Sequence, residues 1–188
     1  MKKLFLFLSF VFVIPAFAQN YKVQIEKQFI EYNTLIKEKQ FEKALDLYAN
    51  ETFLKIIPKT QMVTVMKQMF DSSEIDFILE NPNSIVINDE VIEQNGEKFV
   101  AINYHQDFEM KFNDPDLAKY TISRSLKNEF GEENVTFDNQ TGFFLISTEK
   151  TAVANSKDSE NWKFTIIEKK QIPILIRFIP EQLLKNSK

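Results

Sequence analysis

The chain has 188 residues, no cysteine, one histidine and a formal net charge of −4. Without thiols it has no disulfides, thiolate zinc site, iron–sulfur cluster or cysteine nucleophile, so any exported form must be held by its core. The acidic balance argues against a nucleic-acid surface, which requires a basic stripe, so no nucleic-acid partner is expected.

Lys2 and Lys3 precede an apolar run, Leu4 to Ile14, broken only by Ser9. Pro15 then ends the run, and Ala16-Phe17-Ala18 puts small residues where a signal peptidase needs them. Residues 1–18 therefore read as a signal peptide cleaved after Ala18, leaving Gln19 as the mature start. The protein is expected to be exported, periplasmic or secreted. The run is too short for a permanent membrane span, and no second one follows, so no transmembrane segment is expected after signal removal. Losing the leader takes two lysines and no acids, which moves the net charge to −6. Fourteen of the nineteen phenylalanines lie beyond it, enough aromatic area for a substantial core. Residues 19–188 are read as a single domain.

Tyr21 to about Lys37 predicts a helix, because Ile25, Phe29, Tyr32 and Ile36 recur on one face. "FEKALDLYA" predicts a second, burying Phe41, Ala44, Leu45 and Tyr48. A third opens near Pro58, with Met62, Val65, Met66, Met69 and Phe70 as its stripe. A methionine stripe suits an adaptable groove, but at helical spacing it is read first as core. The period then changes to two. "EIDFILE" and "SIVINDEVIE" predict strands separated by "NPN", and Asn95-Gly96 predicts a tight hairpin into a strand from about Lys98 to Phe112.

That strand contains the only histidine. Val100, Ile102, Tyr104, Gln106, Phe108, Met110 and Phe112 share one parity. Ala101, Asn103, His105, Asp107, Glu109 and Lys111 share the other. His105, Asp107 and Glu109 are thus read as the wet outer face of a half-buried strand rather than a metal or acid–base site. Next, "NDPD" predicts a helix start, with Asn113 or Asp114 as cap and Pro115 in the first turn. The stripe Ala118, Ile122, Leu126 and Phe130 ends at Gly131. "NVTFD", "GFFLISTEKTAVA" and "WKFTIIEK" predict three more strands. The apolar tail "IPILIRFIPEQLL" is expected to dock on the body, with membrane-surface association through Ile172–Leu184 as a weaker option.

Helices first, then strands with one helix between them, predict an α+β fold. The run "YNTLIKEKQFEKALDLYANETF", the helix after Pro58 and the strand start at Trp162 resemble the nuclear-transport-factor-like superfamily, which includes ketosteroid-isomerase-like and SnoaL-like proteins. The resemblance covers about Tyr21 to Lys170. It implies N-terminal helices packed on a strongly curved antiparallel sheet, a cystatin-like cone, with an extra helix at Asp114–Phe130 inserted between strands. It also implies a pocket inside the cone and a homodimer formed through the sheet. The chain further resembles uncharacterised exported proteins of Bacteroidetes-type bacteria.

Tests for chemistry are mostly negative. The glycines, Gly96, Gly131 and Gly142, sit at predicted turns and make no phosphate-cradling loop, so no nucleotide cofactor is expected. No G-x-S-x-G or H-E-x-x-H motif occurs. Asp138 to Glu149 has calcium-loop spacing but carries Phe143 where glycine is needed. Asp71, Glu74 and Asp76 read as a solvated turn. No catalytic or metal residue is therefore assigned. Tyr104 and Gln106 are the candidate pocket residues, on an inward face where no carboxylate is found. The expectation is an exported, non-catalytic domain that binds a small apolar molecule or a protein partner. The alternative is an isomerase- or hydratase-like enzyme with a polar group in the cone pocket, His105 and Asp107 being turned inward by a register slip.

Overall fold

The structure is a computed structural model that describes residues 17–114 and 119–185, with side chains from Tyr21 onward. The leader up to residue 16, Pro115 and Ala118 lie outside the described residues. Four helices come first: α1 (Phe17–Lys37), α2 (Phe41–Tyr48), α3 (Glu51–Ile56) and α4 (Lys59–Phe70). Strands β1 (Ile75–Leu79), β2 (Asn83–Gln94) and β3 (Glu97–Phe112) follow. Then come α5 (Lys119–Phe130), β4 (Val135–Phe137), β5 (Phe144–Ser156) and β6 (Lys163–Ile166). The chain closes with a 3-10 turn (Lys169–Gln171), α6 (Ile172–Leu175) and α7 (Glu181–Leu184).

The predicted stripes of α1 and α2 are buried: Ile25, Phe29, Tyr32 and Ile36, then Phe41, Ala44, Leu45 and Tyr48. Phe29 stands edge-on to Tyr104 and Phe164, with ring centroids 5.0 and 5.2 Å apart, so α1 is packed directly on the sheet. Full burial of such a ring stabilises the fold by about 1.5–3 kcal/mol. Helix α3 has no apolar period of its own to announce it. It exists because Asn50 caps it, accepting from Thr52 N at 2.8 Å and Phe53 N at 3.0 Å.

The sheet is antiparallel and built on two long strands. β3 and β5 pair from Lys98↔Ser156 to Met110↔Phe144. Each outer side is shared by two shorter strands, β1 and β2 along β3, and β4 and β6 along β5. Asn95 and Gly96 turn the β2–β3 hairpin with φ of 54° and 78°, the left-handed pair that a tight reversal demands. Gly131 ends α5 at φ 101°.

The cone is not what the chain forms. The sheet is open and uncurled, and helices are not confined to the N-terminus: α5 lies between β3 and β4, and α6 and α7 follow the last strand. The chain is α+β but is not a nuclear-transport-factor-like or cystatin-like cone, which also removes the basis for a homodimer inferred from that family. The physical reason is that both cues, an amphipathic helix at Phe41–Tyr48 and a strand opening at Trp162, report local period only. Sheet curvature depends on long-range pairing, which neither cue contains.

The tail covers part of the outer face. Leu175, Ile179, Leu183 and Leu184 pack with Phe99, Ala101, Val153 and Phe53. Thus Ala101, assigned by parity to the wet side, is buried at this end of β3, as is Phe99. From Ile102 to Phe108 the expected alternation holds, and that is where the cavity described below begins. No described helix is long and apolar enough to cross a membrane.

Candidate functional site

A cavity of about 740 Å³ lies against the helix-covered face of the sheet. Its floor is β3, where period-two alternation sends Tyr104, Gln106, Phe108 and Met110 to one side. Lys150 joins them because it pairs with Tyr104 across the β3–β5 ladder. Met62, Met66 and Met69 of α4 form one wall. Phe77 and Leu79 of β1 and Phe130 of α5 add to the apolar lining. Glu168 and Gln171, after β6, supply polar lining.

The methionines are the most informative feature. The chain has five, and the four beyond Met1 all line this cavity. The stripe expected to be core is therefore split. Val63 and Phe70 are buried, while Val65 and Met69 are 57% and 44% exposed on the rim. Unbranched thioether side chains adapt to an irregular apolar shape, a property suited to a binding wall.

The polar groups converge. Lys150 Nζ lies 2.8 Å from Glu168 Oε1, with the lysine side chain 22% exposed and the glutamate 47%. Thr165 borders the cavity, but it alternates with Phe164 and Ile166 along β6 and pairs with Val153, so its side chain turns to the other side of the sheet. Burial, then the neighbouring Tyr32 and the Glu168 carboxylate, push the Tyr104 phenol far above its ordinary range, so it stays a neutral hydrogen-bond donor. Gln106 is differently placed. Its amide nitrogen donates to the carbonyls of Glu80 at 2.7 Å and Asp107 at 3.1 Å, which holds the side chain in place.

His105, Asp107 and Glu109 do not line this cavity. They alternate with Tyr104, Gln106 and Phe108 along β3 and so point to its other side. There His105 and Asp107 belong to a cross-strand polar ladder, while Glu109 stands opposite Leu145 and Ile78. His105 Nε2 is 3.6 Å from Glu149 Oε1, and Asp107 accepts from Ser147 Oγ at 2.6 Å and Asn83 Nδ2 at 2.8 Å. No cluster of three or more potential metal ligands occurs among the described residues. Asp71 pairs with Lys39 at 2.6 Å, and Asp76 accepts from Asn113 Nδ2 at 3.0 Å, so the acidic turn is tied into the fold.

Sequence reasoning found no carboxylate on the inner face, and the structure corrects this with Glu168. The signal was present: Phe164, Ile166 and Glu168 share one parity, and the cavity lining includes all three. Lys150 was equally legible, in step with Ala152 and Ala154, both fully buried. Compared with known proteins, no family model and no curated protein matches the chain, so the resemblance to exported Bacteroidetes-type proteins also lacks support.

Proposed function

We propose that this is an exported, non-catalytic protein whose cavity binds a small apolar molecule. The observation that carries the reading is the methionine-walled cavity of about 740 Å³, within the roughly 300–1,000 Å³ range of small-molecule sites. Tyr104 is a fixed donor at its floor, and Gln106 holds its shape. Export is supported by the leader sequence alone and predicts a released protein whose mass begins at Gln19.

The test is binding of the neutral fluorophore Nile red. Saturable fluorescence that is lost in both Met66→Lys and Met69→Lys, with folding preserved, supports the reading. Fluorescence that never saturates, or is indifferent to both substitutions, opposes it.

An isomerase- or hydratase-like enzyme is the second reading, favoured by one observation: Glu168 and Tyr104 line the same cavity. Binding ranks first because the Glu168 carboxylate is already engaged by Lys150 at 2.8 Å and the rest of the lining is mostly apolar.

A further inference from the structure

We propose that the cavity selects an uncharged amphiphile, an apolar body carrying one hydroxyl or carbonyl oxygen, and rejects the corresponding carboxylate. The inference rests on the binding reading above and specifies its ligand class.

The charge arrangement carries the argument. A cavity built for a fatty carboxylate would present an unpaired cation to it. Here the cation lining the cavity, Lys150, is already neutralised by Glu168 at 2.8 Å. An incoming carboxylate would place two acids around one ammonium group, whose charge Glu168 already offsets. A neutral oxygen meets no such penalty.

The uncharged polar groups complement one. Tyr104 offers a phenolic O–H beside Lys150, its partner in the ladder. A hydroxyl oxygen accepts one hydrogen bond and donates another, whereas a carboxylate only accepts. The rest of the lining fits the apolar body: Phe77, Phe108 and Phe130 with the methionines offer almost nothing to a polar chain.

Decanol and decanoate share one tail and differ in the head, so they separate the two ideas. Each is titrated against Nile red bound to the purified protein at pH 8, where decanoate is ionised. Decanol is expected to displace the dye at a concentration about tenfold or more below that needed for decanoate. In Glu168→Gln, which releases Lys150 from its acid, decanoate should gain about tenfold while decanol changes little. Tyr104→Phe should weaken decanol several-fold without lowering Nile red affinity comparably.

Decanoate binding as tightly as decanol to the unaltered protein, or gaining nothing in Glu168→Gln, overturns the neutral-head proposal and leaves the binding reading intact. Nile red that fails to bind saturably overturns the binding reading itself. Intact circular dichroism of Glu168→Gln and Tyr104→Phe guards against loss of fold as the cause.

Discussion

Asn50 joins the helical wall of the cavity to the sheet, and its replacement by alanine is a quantitative test of the fold. Asn50 is 4% exposed and its Oδ1 caps α3. Its Nδ2 donates to Asn155 Oδ1 at 2.7 Å, and Asn155 Nδ2 donates in turn to Glu97 Oε2 at 2.9 Å. Asn50→Ala removes the cap, worth about 1 kcal/mol, and leaves the buried Asn155 oxygen without its donor, about 1–3 kcal/mol more. The expected loss is roughly 2–4 kcal/mol, a fall in Tm of about 4–16 °C for a chain of this size. Urea unfolding followed by circular dichroism measures it. Asn50→Ala and Asn155→Ala should be non-additive, because each breaks the same bond. A loss below about 0.5 kcal/mol, or strict additivity of the pair, would refute the reasoning. Phe53 and Ile57, which α3 positions at the cavity, should weaken Nile red binding in step with the loss of structure.

Other expectations follow from single groups. Asp158 accepts from the backbone N–H groups of Asn161 and Glu160 and from the side chains of Asn161 and Ser156, and these bonds hold its carboxyl far below the usual range. A depressed folded-state pKa gives stability that is present above the unfolded value and lost as pH falls, so acid unfolding below about pH 4 should be shallower in Asp158→Asn. Burial pushes Tyr32 up to about 12, and Tyr104 shifts in the same direction. A raised phenol gives stability that is complete below the unfolded value and lost as pH rises through the folded one, so stability should fall above about pH 10 and less steeply in Tyr32→Phe. His105→Ala should leave Nile red affinity unchanged, because the ring lies across β3 from the cavity; a severalfold loss would contradict that placement.

What was legible followed from local period. Ile25–Phe29–Tyr32–Ile36, Phe41–Tyr48 and the alternation after Ile102 each depend on one element meeting one apolar surface, so their burial could be read directly. Ala101 misled because the chain's own tail covers the outer face at that end, a contact some eighty residues distant in sequence. The cone failed for a related reason: element order is written locally, but whether a sheet curls is decided by pairing among strands that the sequence does not announce. Met62, Met66 and Met69 were seen as a stripe, but whether a stripe becomes core or cavity wall depends on how closely the opposite surface approaches. Glu168 was missed because only the histidine strand was sorted into faces, although Phe164 and Ile166 share the parity of Glu168.

The most direct test of the central claim uses the methionines themselves. All four beyond Met1 line the cavity, so methyl-labelled methionine gives a spectrum that reports on it. Titration with decanol should shift the Met62, Met66, Met69 and Met110 methyl resonances together and saturably. Four resonances unmoved on a folded protein would contradict the account of this cavity as a binding site.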